Sequence, residues 1–141
     1  MIRMLFAIDD SPESSKAIDV FLAQLGWYRE KPEIHLLNVQ RPLRGDISGF
    51  LKPGLIEQYH LDESRKVLTP AKQRLENAGL LPTTHAVVGK AAETILRYAT
   101  EHACQQIMMG SRALGAGGGW VLGSTVTRVL QHSSLPVLIL R

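Results

Sequence analysis

The sequence IRMLFAIDDSP at positions 2–12 begins with an apolar run that is interrupted only by Arg3 and is closed by two aspartates. Such a run, with β-branched and aromatic members, is typical of a strand buried on both faces of a parallel sheet. Ser11 and Pro12 then predict a helix start, because serine is a good N-cap and proline suits the first helical position. Gly26 predicts the end of that helix.

The same alternation of strand and helix repeats along the rest of the chain. Apolar runs predict further strands at 34–39, 83–88, 106–109 and 136–140, and helically spaced apolar residues predict helices over 55–78, 92–99 and 126–130. We expect a long, mobile connection over 41–54 and a kink or break at Pro70, which lacks an amide hydrogen. The pattern predicts one α/β domain over residues 1–141, doubly wound and Rossmann-like, with a five-stranded parallel sheet and helices on both faces.

Composition excludes several classes of protein. The chain has 141 residues and a formal charge of +3, with no basic run of the kind that marks a nucleic-acid-binding arm. No apolar run approaches the roughly 20 residues of a membrane-spanning helix. Cys104 is the single cysteine, and we expect it to be a buried, inert thiol. The five histidines show no metal-ligand spacing. These features predict a cytoplasmic protein with no nucleic-acid partner, no membrane association and no metal site.

Half of the twelve glycines lie between positions 110 and 123, after the fourth predicted strand. Ligands of open parallel sheets bind at the carboxyl ends of the strands, where a glycine-rich loop can turn its amides toward an anion. The alternative is a flexible surface loop without a ligand. The segment is neither a Walker A loop, because Ser124 stands at the lysine position, nor a dinucleotide fingerprint.

A longer pattern in this region resembles the nucleotide loop of the universal stress protein family. Residues 109–113 read MGSRA, nine residues follow, and the chain continues with Gly123 and Ser124. The family pattern is Gly, two residues, Gly, nine residues, Gly and Ser or Thr, so that Ala113 replaces the second glycine. The strand at the N-terminus with its aspartate, the sequence LLNV at 36–39 and the closing strand are also similar to this family.

The resemblance implies an ATP site, with or without Mg²⁺. The adenosine would lie against Ala7, Ile8, Asp9 and Val39, and Met109 would form part of the pocket wall. The phosphates would meet the amides of Gly110, Ala113, Gly123, Ser124 and Thr125, with Arg112 either screening their charge or solvated. Two roles stay open: Asp9 could instead cap the first helix, and Ser124 could act as a helix N-cap alone.

The resemblance implies a stress-response module that binds ATP and signals its occupancy to a partner through the glycine-rich loop. We expect negligible or very slow ATP hydrolysis, since Asp9 is the single candidate for a general base. The alternative is a nucleotide-free interaction protein of the same family. Both hypotheses predict a homodimer that pairs through the apolar terminal strand at 135–140.

Overall fold

A computed structural model describes residues 1–111 and 122–141, and its strands form one five-stranded sheet. In chain order the elements are β1 Arg3–Ala7, α1 Pro12–Ala23, a 3₁₀ turn Leu25–Trp27, β2 Glu33–Gln40, α2 Gly45–Ser48, α3 Pro53–Asn77, β3 Thr83–Val88, α4 Ala91–Glu101, β4 Gln106–Gly110, α5 Ser124–His132 and β5 Val137–Leu140. All pairings are parallel, and the strand order is β3-β2-β1-β4-β5. The predicted doubly wound α/β class is confirmed.

The core lies in two layers, one on each face of the sheet. Alternate residues of the central strands enter opposite layers, because successive side chains of a strand point to opposite faces. On one face Phe6 and Leu36 pack with the apolar sides of α1 and α3. On the other face Leu5 and Leu37 pack with α4 and α5. Helices therefore cover both faces, as the sequence predicts.

The strands at the two edges are less buried than the prediction of almost wholly apolar strands implies. In β3, both threonines at its start and Val88 are exposed, and His85 is partly buried. Only Leu140 of β5 is buried, and the other three residues of this strand are partly exposed. Continuous burial holds for β1, the middle of β2 and β4, which have a neighbour on each side, and in β2 it includes the polar residues His35 and Asn38.

Pro70 does not divide its helix, so the predicted break at this position is wrong. Helix α3 is continuous over 25 residues and contains Pro70. Both Pro70 and Lys66, whose carbonyl loses its usual donor, are exposed, so water can satisfy that carbonyl. On the opposite side Leu68 and Ala71 are buried in the core and hold the helix in place.

Two boundaries also differ from the sequence prediction. Helix α1 ends at Ala23, and Leu25 and Gly26 lie in the 3₁₀ turn, so Gly26 does not end the helix directly. The connection predicted over 41–54 is shorter than expected, because it contains α2 and because α3 begins at Pro53. In the described part of the chain, no helix combines the length and the apolar character needed to span a bilayer.

Helices α3 and α4 end in the same hydrogen-bonded motif, in which the residue after the C-cap adopts the left-handed conformation. Gly79 has φ +85° after α3, and Ala103 has φ 52° after α4. Behind α4, Cys104 donates its amide to the Ala99 carbonyl at 2.8 Å and Ala103 donates to Thr100 at 3.0 Å. This is a Schellman motif, for which glycine is the usual residue at the left-handed position. Alanine there carries the steric cost of its Cβ.

Candidate functional site

The main candidate site is a cleft at the carboxyl ends of β1 and β4. The chain winds from β1 outward through β2 and β3 and then returns to the other side of β1, so these two strands flank the switch point of the sheet. The cleft has a volume of about 350 Å³, within the roughly 300–1,000 Å³ of small-ligand sites. The described residues that line it are Ala7, Ile8, Asp9, Ser11, Ser14, Leu37, Val39, Arg41, Ala91, Ile95, Met109, Gly110, Gly123, Ser124, Thr125 and Val126.

All predicted site residues in the described part of the chain line this one cleft. They come from four separate places: the end of β1, the end of β2, the end of β4 and the start of α5. Arg112 and Ala113, and most of the predicted mobile glycine-rich loop, lie outside the described residues. The lining residues that the sequence did not predict are Ser11, Ser14, Leu37, Arg41, Ala91, Ile95 and Val126, of which Arg41 directly follows β2.

Asp9 organises the turn between β1 and α1. Its Oδ1 accepts hydrogen bonds from the Ser11 amide and the Ser14 hydroxyl, both at 2.9 Å, and from the Ser11 hydroxyl. The Asp9 amide in turn donates to the Ser14 hydroxyl at 2.9 Å. The N-cap of α1 is Ser11, as predicted, since its hydroxyl oxygen accepts from the Ser14 amide. Asp9 is therefore not the cap itself but holds the cap residue in position beside the cleft.

Asn38 is a buried polar residue that supports the cleft from behind. Its side-chain amide donates to the Ile8 carbonyl at 3.0 Å, and its Oδ1 accepts from Ser64 of α3 at 3.0 Å and from Gln40 at 2.9 Å. Ile8 also donates its own amide to the Leu37 carbonyl at 2.9 Å. These bonds fix the chain where it leaves β1 for the site. The signal in the sequence was a single amide side chain inside the apolar run LLNV, and its role was not predicted.

Gly110 brings the end of β4 against the first turn of α1. A Cβ at this position would lie 2.7 Å from the Glu13 carbonyl oxygen and 3.2 Å from the Ser14 amide nitrogen. Both are backbone atoms, which cannot turn away as the end of a side chain can. The glycine at 110 is thus required by packing, independently of any ligand.

The N-terminus of α5 supplies the anion-binding character of the cleft. The N-cap is Gly123, with φ −62° and ψ 159°, and as a glycine it offers no side chain to cap the helix. The first intrahelical bond runs from the Thr127 amide to the Gly123 carbonyl at 3.0 Å. The amides before Thr127 have no acceptor within the helix and carry the positive end of its dipole. The open interpretation of Ser124 as N-cap is wrong, because Ser124 is the first helical residue and its side chain is exposed.

Apolar and polar groups are separated across the cleft. Leu37, Val39, Ile95 and Met109 provide an apolar wall, and the helix N-terminus and the end of β4 provide backbone amides. The exposed side chain of Arg41 adds a positive charge at the rim. A ligand with a flat apolar part and an anionic part matches both surfaces.

A second group of polar side chains lies at a different place and consists of three histidines, although the histidines show no metal-ligand spacing in the sequence. His35 of β2, His85 of β3 and His102 after α4 each place one ring nitrogen within 4.8 Å of the others. His35 is 8% exposed, and the other two are partly exposed. Burial, followed by the charges of His102 and His35, lowers the pKa of His85 to about 4. Cys104 is buried, as predicted, and burial raises the pKa of its thiol.

The strand order and the cleft at its switch point define a doubly wound, Rossmann-like α/β domain. The chain belongs to the universal stress protein family, because a model of that family matches residues 1–141. The universal stress protein YxiE of Bacillus subtilis is 32% identical over an alignment of 149 residues, gaps included. The alignment covers 99% of this chain and 98% of that protein. Slr1230 of Synechocystis, also a universal stress protein, is 36% identical over 139 residues, which cover 99% of this chain and 42% of that protein.

Solved structures share the fold over nearly the whole chain. The hypothetical protein PH0823 has a TM-score of 0.77 at 27% identity, with coverage of 99% of this chain and 94% of that one. A universal stress protein from Archaeoglobus fulgidus, solved in complex with dAMP, has a TM-score of 0.70 at 18% identity and 100% and 98% coverage. A family member from Arabidopsis thaliana, solved with AMP bound, has a TM-score of 0.71 at 14% identity and 99% and 91% coverage.

Proposed function

We propose that the cleft binds ATP, alone or with Mg²⁺, and that the protein is a cytoplasmic stress-response module whose occupancy is communicated to a partner protein. The observation that carries this proposal is that the N-terminus of α5, where the N-cap residue is a glycine, and the end of β4 border a cleft whose other wall is apolar. Amides at a helix N-terminus favour phosphate, and an apolar wall favours a purine base. Two similar structures contain dAMP and AMP, which supports an adenine nucleotide as the ligand class.

The proposed roles follow the position of each residue around the cleft. Ala7, Ile8 and Val39 contact the adenosine, with Asp9 beside the base and ribose and Met109 in the wall. Phosphate oxygens accept hydrogen bonds from the amides of Gly110, Gly123, Ser124 and Thr125. For Arg112 and Ala113 the roles remain those implied by the family resemblance, a phosphate-screening charge and a further amide donor.

We propose binding without appreciable turnover. Oδ1 of Asp9 already accepts hydrogen bonds from Ser11 and Ser14, so this atom is committed to the turn rather than directed at an attacking water. A general base needs hydrogen-bond reach to the proton that it removes. ATP incubated with the protein should therefore stay intact for much longer than binding takes to reach equilibrium.

Calorimetric titration of the full chain with ATP, ADP and AMP, with and without Mg²⁺, tests the proposal. We expect saturable binding of ATP and a melting temperature that rises with ATP concentration by mass action. Gly123→Val should abolish both effects, because its side chain would project from the N-cap beside the phosphate-binding amides. Gly26→Val is the matched control, since a Cβ at Gly26 meets nothing within 4 Å and the residue is far from the cleft in sequence and in the fold.

The competing function is a nucleotide-free interaction protein, which the partly exposed edge strand β5 favours. The two functions differ in what the purified protein retains. Absorbance at 260 nm of the denatured protein, after purification in the presence of ATP, measures bound nucleotide. A wild-type chain that neither retains nucleotide nor responds to ATP in calorimetry would contradict the ATP proposal and leave the interaction function.

We propose that β5 pairs with β5 of a second copy, so that the protein is a homodimer. Within residues 1–111 and 122–141, strand β5 has a hydrogen-bonded neighbour, β4, on one side only. An edge strand with apolar, partly exposed residues is a template for pairing with another chain. The proposal is independent of the nucleotide, because β5 contributes no described residue to the cleft.

A further inference from the structure

We propose that His35, His85 and His102 form a binding site for a divalent transition-metal ion, with Zn²⁺ as the representative ion. The three residues are far apart in sequence, and the fold brings one ring nitrogen of each within 4.8 Å of the other two. Register explains how two of them meet. In the parallel register of β2 and β3, His85 lies opposite Leu37. Leu37 is two residues after His35, so the side chains of His35 and His85 lie on the same face of the sheet, diagonally across the two strands. The third, His102, follows the last turn of α4, which packs on that face.

The spacing is close to what a metal ion requires. Zinc–nitrogen distances are about 2.0–2.1 Å, so two ligand nitrogens of a tetrahedral ion lie about 3.3 Å apart. Nδ1 of His35 and Nε2 of His85 are 2.9 Å apart and are now joined by a hydrogen bond. A bound ion would take the place of the shared proton on Nε2 of His85, and this ring would carry a proton on Nδ1 instead, by exchange with solvent. The two nitrogens would move slightly apart and His102 would move closer. Changes of this size need small side-chain rotations and no movement of the sheet.

The hydrogen bonds of the outer nitrogens determine which inner nitrogens carry a lone pair. Nε2 of His35 lies 3.2 Å from the Glu33 carboxylate, and Nδ1 of His102 lies 3.0 Å from the Tyr98 carbonyl oxygen. Both partners only accept, so these two nitrogens carry the protons, and the lone pairs sit on Nδ1 of His35 and Nε2 of His102. Around protein-bound metals, a coordinating histidine usually donates the N–H of its second ring nitrogen to a carboxylate or a backbone carbonyl.

Charge and access at the cluster are compatible with a cation. The guanidinium of Arg3 lies 3.1 Å from the Glu33 carboxylate, which offsets its charge, and its Nη1 donates to the His102 carbonyl at 3.0 Å. His85 and His102 are partly exposed, so that an ion can reach the cluster from solvent. The ring of Tyr98 lies 5.1 Å from that of His102 and 5.5 Å from that of His85, centroid to centroid, and limits their movement.

The donor set selects the class of ion. Imidazole nitrogen suits Zn²⁺, Cu²⁺ and Ni²⁺, whereas Mg²⁺ and Ca²⁺ require oxygen ligands. Three histidines leave the fourth tetrahedral position to water or to an external ligand. The site is separate from the nucleotide cleft, because α4 begins at the cleft with Ala91 and ends beside His102 after 11 residues, roughly 16 Å along the helix axis.

A competition titration with a chromophoric zinc chelator tests the proposal on the full chain after removal of metal. We expect one Zn²⁺ per chain, no binding of Mg²⁺, and at least a tenfold loss of zinc affinity in His85→Gln and in His102→Asn. Glu33→Gln should lose affinity by about 10–100-fold, since it removes the carboxylate that orients His35. His132→Gln, at an exposed histidine at the end of α5, is the matched control and should bind like the wild type.

A second measurement needs no variant. Zn²⁺ should shift the ring NMR signals of His35, His85 and His102 and leave those of the remaining histidines in place, and Co²⁺ should give the visible absorption of a tetrahedral site. Equal zinc binding by wild type and His85→Gln, or zinc-induced shifts at other histidines only, would overturn the proposal. So would the absence of zinc binding at micromolar concentration, which would leave the cluster as a hydrogen-bonded structural element.

Discussion

Ala103 is held in a backbone conformation that suits glycine. Its φ of 52° lies in the left-handed region, and the Schellman bonds behind α4 keep it there. The left-handed conformation costs an L-residue roughly 1–2 kcal/mol, and the side chain of Ala103 is exposed, so that its removal loses little burial. The equivalent position behind α3 is already glycine, Gly79.

We therefore predict that Ala103→Gly raises the free energy of unfolding by roughly 0.5–1 kcal/mol, after allowing for the extra freedom that glycine gives the unfolded chain. Urea denaturation at fixed pH measures the change. Ala23→Gly, at an exposed position in the last turn of α1, is the control and should lower stability, because glycine is a poor helix former. A lower stability of Ala103→Gly than of wild type would show that the strain is not relieved.

His85 makes the stability of the metal-free protein depend on pH. Its pKa of about 4 in the folded protein lies below the ordinary value of 6.5, so between these values the unfolded chain binds more protons than the folded one. Stability is complete above pH 6.5 and is lost as pH falls toward 4. The charged and titratable groups around it are His35, His102 and Tyr98, with the Arg3–Glu33 pair behind them.

We predict that, in the presence of a chelator, wild type loses more stability than His85→Gln between pH 7 and pH 4.5. The difference should be of order 1 kcal/mol, because partial exposure of the ring weakens the full effect. Melting temperatures at the two pH values measure it. His132→Gln should follow the wild type, and an identical pH profile for His85→Gln and wild type would contradict the assigned pKa.

At the scale of elements, the contact between β4 and α1 sets the geometry of the cleft. We predict that Gly110→Ala destabilises the protein by roughly 1–3 kcal/mol, the usual cost of overpacking, because its Cβ would overlap the backbone at Glu13. The same change should weaken ATP binding, since the strand end must move away from α1. Gly54→Ala is the control, because a Cβ there meets nothing within 4 Å. Thermal denaturation and calorimetry measure both effects, and wild-type values for Gly110→Ala would contradict the packing argument.

Local pattern was sufficient for most elements and misleading where tertiary contacts decide. The start of α1 followed from Ser11 and Pro12, and β3 was predicted with its observed bounds, Thr83–Val88. The break predicted at Pro70 is absent because the hydrogen bond lost at this proline faces water and costs little. The buried residues Leu68 and Ala71 on either side of it hold α3 against the core. Whether a proline faces solvent depends on the packing of the whole helix, which is not visible in the residues beside it.

At the scale of the whole molecule, the strand order explains which site residues could be predicted. Residues at the carboxyl ends of parallel strands meet at one edge of the sheet, so Asp9, Val39 and Met109 could be grouped from their positions alone. The histidine cluster could not, because His35, His85 and His102 meet through strand register and the end of a helix. Asn38 was missed for the same reason, since its partners Ile8 and Ser64 lie on other elements.

The proposed dimer gives a prediction at this scale. The chain has a mass of 15.6 kDa, and we expect light scattering after size-exclusion chromatography to give about twice that mass. Ile139→Glu should shift the protein toward the monomer, because it places a charge on the pairing edge. Val88→Glu, at an exposed position on the opposite edge strand β3, should leave the mass unchanged. A wild-type monomer, or a dimer lost only in Val88→Glu, would contradict pairing through β5.

The two margins of the sheet differ in chemistry, and a pair formed through one of them limits how many copies can join there. If two copies meet by a two-fold axis at β5, both outer margins of the resulting ten-stranded layer are β3, which opens with two exposed threonines and a histidine. A two-fold contact uses up its own complementary surface, so β5 of either copy is no longer open to a third chain. Growth through β5 would then stop at a closed pair.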